Sequence, residues 1–443
     1  MYLLGVLVLV LGVIVSIALH EVGHLVPAKL FGVKCTQYMV GFGPTVWSRR
    51  MGETEYGVKA IPLGGYVRMI GMFPPKPDGT QRPDSAGRWG TMADRARQDA
   101  QREISPGDAD RLFYQRSVPK RLVIMMGGPV MNLLLAFFFL GLVVTGFGVP
   151  TTVPVVSSVS RCITPADQPQ RACTSSDPVA PAAAAGLQQG DEIVRFAGRP
   201  VGSWADVQNA IRANTGTPVQ VVVRRAGREV PLTMTPAVTQ RPKLDANGEP
   251  VLGADGKAEL TKVGFLGVLP SRELQRQSPA VVPGMVGDAV KQTAAVVLVI
   301  PSKMVGVVHS LATGSQRDPN GPISLVGIGR IAGESASADA AGAGVAEPTL
   351  AERLAGPLSL VATLNVALFV FNMIPLLPLD GGHVAGALWE ALRRGIARLR
   401  RRPDPGPVDI ARALPLAYGV ASLLIGMSVL LIYADIVNPV RVG

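Results

Sequence analysis

The sequence predicts a polytopic α-helical membrane protein: four transmembrane helices, a membrane-associated β-hairpin on one side and an α+β domain on the other. Three observations carry that prediction. Of 443 residues, 48% are hydrophobic and only 17% charged, with a mean hydropathy of +0.30; this is an apolar balance for a chain of such length. The apolar residues gather into four runs long enough to cross a bilayer core. The basic residues, which give a net charge of +11, concentrate in two of the connections between those runs.

The first run, Tyr2 to about Leu25, has no charge before His20. It lacks the basic start and small-residue cleavage site of a secretory signal, so it reads as a permanent span. The others cover about Leu122–Phe147, Leu354–Leu379 and Leu414–Ile436. A weaker stretch, Val281–Ile300, carries Asp288 and Lys291 and is expected to be an amphipathic helix at the membrane surface. Between spans one and two lie Lys34, Arg49, Arg50, Lys59, Arg68, Arg116, Lys120 and Arg121; between spans three and four lie Arg393, Arg394, Arg398 and Arg400–Arg402. The positive-inside rule puts both connections in the cytoplasm, and both termini and region 150–350 outside. The charge is therefore mainly a topology signal. With 5% aromatic residues and no recognition motif, nucleic acid is excluded as a partner and the lipid bilayer takes its place. Four segments follow: 1–150, an N-terminal membrane core; 153–238, an outer domain; 239–350, an outer linker with the amphipathic helix; and 351–443, a C-terminal membrane core.

The first run ends in His20-Glu21-Val22-Gly23-His24. Two histidines four positions apart share one face of a helix, which is the spacing zinc needs, and the glutamate between them can serve as general base. The plain alternative is a helix end with two unliganded interfacial histidines. A catalytic zinc held by two histidines still lacks one protein ligand. No His or Glu follows at a regular spacing, since Cys35 and the Glu53–Glu55 cluster fall in turn-rich sequence. The third run closes with Asn372-Met-Ile-Pro375-Leu-Leu-Pro378-Leu-Asp380-Gly381-Gly382-His383, where Asp380 is the only carboxylate. A lone aspartate in a span costs about 2.5–3.5 kcal/mol on insertion scales, so a partner is expected. Spans one and three both end on the cytoplasmic side, and a zinc ion shared by His20, His24 and Asp380 supplies that partner. Pro375 and Pro378 unwind the helix and make room for a metal and a substrate strand. Taken alone, Asp380-Gly381-Gly382 is equally a helix stop.

HEVGH in the first span, with NMIPLLPLDGGH in the third, resembles the site-2 protease family of intramembrane zinc metalloproteases. Gly127-Gly128-Pro129-Val130-Met131-Asn132 is similar to that family's GPxxN element. The resemblance covers nearly the whole chain and is nearest the actinobacterial members that cleave anti-sigma factors. It implies one Zn2+ on His20, His24 and Asp380, with Glu21 passing a proton from the attacking water to the leaving amine. It also implies a multi-pass protein of the bacterial plasma membrane, acting on single-span membrane proteins such as anti-sigma factors in regulated intramembrane proteolysis. Asn372 and Asn132 are candidates for bonding the substrate backbone or the oxyanion; for each, polar contact between helices is the plain alternative. His383 is either a partner behind the metal ligands or structural, and His309 is expected to be interfacial.

A helical substrate hides its peptide bonds. Glu55–Ile61 and Tyr66–Gly71, separated by Pro62-Leu-Gly-Gly65, read as two short strands joined by a turn. A free strand edge can pair with an unwound substrate, and a membrane-associated β-loop at this position in the site-2 family resembles that description. Pro74 to about Gly107 is expected to be a mobile loop. In the outer segment, Ala185-Gly186-Leu187-Gln-Gln-Gly190-Asp191 precedes a helix capped by Ser203 and a strand at Val219–Arg225. This order resembles a bacterial PDZ domain over 153–238, which either binds a peptide or clipped substrate end or excludes bulky substrates by size. Arg241–Lys262 reads as a surface hairpin or loop, and Ser335–Ala346 as a flexible stretch. Cys162 and Cys173 lie outside, where a disulfide is permitted, either bridged or free; Cys35 stays reduced inside.

Two function classes compete. One is an intramembrane zinc endopeptidase; the other is a catalytically silent membrane adaptor that binds peptides through the PDZ-like domain. The intact ligand set and Glu21 favour the enzyme.

Overall fold

The computed structural model describes residues 1–75, 88–164, 172–242, 259–318, 321–337 and 349–440. In chain order it begins with α1 (Tyr2–Leu30), β1 (Cys35–Met51), β2 (Thr54–Met69), α2 (Arg88–Arg102) and α3 (Val118–Leu142). Next come β3 (Val149–Val159), one helical turn α4 (Pro181–Ala184), β4 (Glu192–Phe196), β5 (Arg199–Pro200) and α5 (Trp204–Ala213). The strands β6 (Val219–Arg225), β7 (Arg228–Met234), β8 (Ala237–Pro242), β9 (Leu260–Phe265) and β10 (Val268–Gln275) follow. The chain closes with α6 (Val282–Thr313), α7 (Leu325–Ser337), α8 (Leu350–Asn372), α9 (Asp380–Leu399) and α10 (Leu414–Val437). Two compact units result: one takes Met1–Phe147 and the described residues from Gln277 onward, the other Gly148–Arg276.

Among the described residues five helical segments are long and apolar enough to cross a membrane, one more than expected: Tyr2–Leu30, Val118–Phe147, Pro279–Thr313, Leu350–Asn372 and Ile410–Val437. The additional one contains the stretch 281–300. Its two charges, Asp288 and Lys291, pair within one turn at 3.3 Å, and the apolar sequence beyond them carries the helix on to Gly314, whose φ of +70° ends it. The third span differs in where it ends: it stops at Asn372, and Asp380 opens α9 instead of closing α8. Pro375 and Pro378 lie in a non-helical link, the unwinding expected of them.

In the helical unit α1 packs against α3, α7 and α8. Where α1 and α3 cross, Gly23 and Gly127 bring the backbones together so closely that a Cβ on Gly127 would fall on the Gly23 carbonyl. Toward the start of α1, Leu9 is buried with Ala332 of α7 and Val361 of α8. Buried Asn365 of α8 donates to Ser16 Oγ at 2.8 Å, joining α1 and α8 by a polar contact. Buried Glu390 of α9 pairs with Arg121 of α3 and accepts the Val408 N–H at 3.0 Å.

The hairpin differs from its expected form. Residues 55–58 pair with 37–40, and on its other side 37–40 pairs with 65–68. The two segments read as partners, Glu55–Ile61 and Tyr66–Gly71, are therefore separated by the start of β1. The end of β1 pairs with the start of β2, Arg50 opposite Glu55 and Met51 opposite Thr54. Segment 65–69 is left at an edge. Part of the expected mobile loop, 76–87, lies outside the described residues; 88–102 is helix α2, held by a contact from Arg97 to Asp409.

The second unit is a sheet ordered β10-β3-β4-β6-β7, with α5 laid on it. Val156, Ile193, Phe196, Val207, Ile211, Val221 and Val223 form its core. Helix α5 begins at the capping box of Ser203 and Asp206. The sheet reaches past 238, because β10 pairs antiparallel with β3. Strands β8 and β9 form a hairpin whose tip, 243–258, lies outside the described residues. Most of the expected flexible stretch 335–346 does too; 335–337 ends α7. Cys162 is bonded to Cys173, with 5.9 Å between Cα atoms. Cys35 is buried and free, and burial pushes its thiol up to about 12.

Asp191 is fully buried. Burial alone raises a carboxyl pKa, but two Arg225 hydrogen bonds of 2.7 Å and the Gln188 N–H at 2.8 Å hold this one below the usual range. A depressed folded-state pKa gives stability that is complete above the unfolded value, about 3.9, and disappears as pH falls through the lower folded value. Asp191→Asn should therefore destabilise this unit at pH 7 by on the order of 3 kcal/mol. The deficit should shrink below pH ~4. Hydrogen exchange of the full chain at the two pH values checks this.

Candidate metal centre and catalytic site

His20 and His24 lie one turn apart on α1, with ring centroids separated by 4.9 Å. Their Nε2 atoms are 3.2 Å apart, and each is 3.3 Å from Asp380 Oδ2. These three atoms form the one cluster among the described residues that could hold a metal ion. A tetrahedral zinc with arms of about 2.0–2.1 Å needs ligand atoms about 3.3 Å apart, so the spacing fits. Two further observations agree. Asp380 Oδ2 is buried and has no hydrogen-bond donor, as expected of an atom reserved for a cation. Gly128 lies against both rings: a Cβ there would be 2.7 Å from His20 Nε2 and closer still to His24 Nε2.

The far side of each imidazole is also held. His24 Nδ1 lies 2.8 Å from the Ile124 carbonyl, an acceptor that fixes the proton on Nδ1 and frees Nε2 for a metal. His20 Nδ1 lies 3.0 Å from the Asn132 amide, and Asn132 is fully buried on α3. The amide nitrogen is the nearer atom; the two ends of an amide are alike in shape, so a half-turn lets the oxygen accept from the Nδ1–H of a ring whose Nε2 binds a metal. Asn132 therefore faces His20 and not the space open to a substrate. Asn132→Leu should weaken metal binding by about 10- to 100-fold, read by chelator competition.

Glu21 is 8% exposed. A Cβ on Gly65 would lie 2.9 Å from Glu21 Cγ and 3.3 Å from Oε1, so the edge segment 65–69 starts directly over this carboxylate. Tyr38, in the neighbouring segment, donates to the Ala18 carbonyl at 2.8 Å and ties the sheet to α1. Asn372 is the last residue of α8; its side chain makes no hydrogen bond among the described residues. His383 follows Asp380 on α9, and its Nδ1 is buried without a partner.

The structure thus brings together His20, His24 and Asp380, with Glu21 beside His20 in the chain and Asn132 behind it. It leaves Asn372 outside the ligand cluster and the Cys162–Cys173 bond in the other unit. Sequence reasoning named Gly128 and Gly65 but missed what each lies against, and it missed the Arg121–Glu390 pair. Gly127-Gly128 beside an Asn in a span was the available signal for the first. Nothing local marks Glu390, whose partner lies 269 positions away.

A three-ligand metal cluster with an adjacent carboxylate, its two histidines on a helix apolar enough to span a bilayer and among several other such helices, defines a metallopeptidase of a multi-pass membrane protein. The chain belongs to peptidase family M50, whose family model matches residues 8–402. It is 31% identical over 450 residues to the zinc metalloprotease Rip1 of Mycobacterium tuberculosis, with 100% of this chain and 99% of the relative covered. Rip1 of Mycolicibacterium smegmatis is 32% identical over 456 residues at the same coverage. The metalloprotease MmpA of Caulobacter vibrioides is 27% identical over 393 residues, covering 88% of this chain and 86% of its own.

Proposed function

We propose that this chain is an intramembrane zinc endopeptidase that cuts single-span membrane proteins within or at the edge of their apolar segment. The observation that carries it is one cluster in which His20 and His24, with Glu21 alongside, lie on a helix of spanning length and hydropathy, and Asp380 opens the helix that follows another such span. Bound zinc supplies Lewis acidity, activating water and polarising the scissile carbonyl. The rest belongs to the chain. Glu21 takes the proton of the attacking water and returns it to the leaving amine. Ile124 and Asn132 hold the imidazoles in the orientation that presents Nε2. The edge segment 65–69 accepts an unwound substrate as an added strand and lays its backbone beside Glu21. The Asn372 side chain, without a hydrogen bond among the described residues, is available to bond that backbone.

Four crossings, with both termini and the Gly148–Arg276 unit outside, fit the basic connections. The ends of α6 support this count. Gln277 N–H donates to the Val144 carbonyl beyond α3 at 3.0 Å. After α6, Arg317 pairs with Asp435 at 2.5 Å, and the Asn438 side chain donates to the Ser315 carbonyl at 2.9 Å. Helices α3 and α10 both run outward from cytoplasmic loops, so α6 starts and finishes on one side, the outer one. The second unit is a PDZ-like module that receives a peptide or clipped substrate end, and the Cys162–Cys173 bond suits its outer location. Anti-sigma factors are the expected substrates.

The test is cleavage of a single-span reporter by the reconstituted protein, with fragments mapped by mass spectrometry. A cut inside the apolar segment or within a few residues of it supports the proposal. Cuts confined to soluble tails contradict it, and no cleavage by a zinc-loaded protein favours a silent adaptor.

A further inference from the structure

Helix α9 presents two unlike faces. One carries Val384, Ala387 and Glu390, all buried, and is fastened to α3 through Arg121. The other carries Leu388, Trp389, Leu392, Ile396 and Leu399, between 42% and 86% exposed. At 100° per residue these five side chains fall within a sector of about 100°, a continuous apolar stripe. Arg393 and Arg400 border the stripe on one flank, and Arg398, Arg401 and Arg402 gather with Arg400 at the C-terminal end of the helix. Arg394 is engaged with Glu390 and Asp404. Arg398, Arg400, Arg401 and Arg402 make no ion pair among the described residues.

An exposed apolar stripe is a liability in water. Edged by arginines and holding a tryptophan, it matches a helix lying in a bilayer interface, where long cationic side chains reach anionic headgroups. Charge complementarity selects the occupant, because the guanidiniums without ion pairs at the end of the stripe match lipid phosphates and not a neutral apolar partner. We infer that the outer face of α9 is a docking surface for anionic lipid headgroups of the cytoplasmic leaflet, and that this contact holds Asp380, the first residue of the same helix, in its ligand position.

The coupling rests on the proposed metal site and topology, and on continuity of the backbone. Residues 373–379 between α8 and α9 are not helical, so α8 does not fix the direction of α9. That direction is set by the contacts of α9 itself: on one face Val384, buried with Leu25, Ile124 and Met125, and the Arg121–Glu390 pair; on the other, by this inference, the lipid. A tilt of the helix moves its first residue relative to His20 and His24 on α1.

The test uses the full chain in phosphatidylcholine bilayers with or without added phosphatidylglycerol. One readout is quenching of Trp389 by bromine-labelled acyl chains after Trp47, Trp89 and Trp204 are changed to phenylalanine. The other is reporter cleavage with the native tryptophans, which stands if that triple variant fails to fold. Phosphatidylglycerol should raise the cleavage rate by on the order of 5- to 10-fold and deepen the quenching, and added salt should erode both. The variant R398Q/R400Q/R401Q/R402Q should keep its rate in phosphatidylcholine and lose both responses. Equal responses of variant and wild type overturn the inference. So does Trp389 unquenched in either lipid, which would assign the stripe to a protein partner. If quenching depends on phosphatidylglycerol and on the arginines but nothing is cleaved in any bilayer, lipid docking stands and the protease reading falls.

Discussion

Glu21→Gln should lower the cleavage rate by about 10²- to 10⁴-fold and leave zinc content unchanged. The substitution keeps size and hydrogen-bonding shape, so the buried position beside Gly65 is preserved; only the ability to take a proton is lost. None of the clustered ligand atoms belongs to Glu21, so metal binding has no reason to fall with activity. Rate and zinc measured on the same preparation separate the two roles. A variant that cuts at more than about a tenth of the wild-type rate contradicts the assignment of Glu21 as base. A variant that loses zinc would make Glu21 a ligand instead.

Gly128→Val should lower zinc affinity by on the order of 100-fold, and activity with it. The new Cβ falls on both imidazole Nε2 atoms, and neither ring can retreat freely, because His24 is bonded to Ile124 and His20 faces Asn132. The control is Gly141→Ala in the same helix, where a Cβ meets nothing within 4 Å and zinc and activity should both be kept. Equal zinc affinity in wild type and Gly128→Val would mean that the two rings do not bind metal in this arrangement.

Much of this site was legible in the sequence, because its logic is local or chemical. The i, i+4 histidines needed only helix periodicity, and the cost of a bare Asp380 in apolar sequence pointed to a distant partner. Elements that depend on long-range pairing were not legible. Strand 37–40 intrudes between 55–58 and 65–68; Gly41 and Gly43, both at positive φ, were the only local hint, and nothing in the sequence says which segments they bring together. The unwinding at Pro375 and Pro378 was legible, but Asp380 was read as the end of a span because hydropathy runs through residues 373–379, which hides the start of a new helix there. Strand β10 was not assigned to the outer sheet because residues 243–258, between β8 and β9, hide the continuity of that domain. Asn132 illustrates a different limit: its type was informative, but only distance could decide that it faces His20 and not the substrate.

The central claim is that α1 and α9, remote in sequence, share one metal ion. Zinc content of the purified wild type and of Asp380→Ala, each measured per chain after exhaustive washing, tests it most directly. The account predicts one zinc ion in the wild type and a near-empty, inactive variant. An Asp380→Ala protein that holds its full zinc and still cuts the reporter would contradict it.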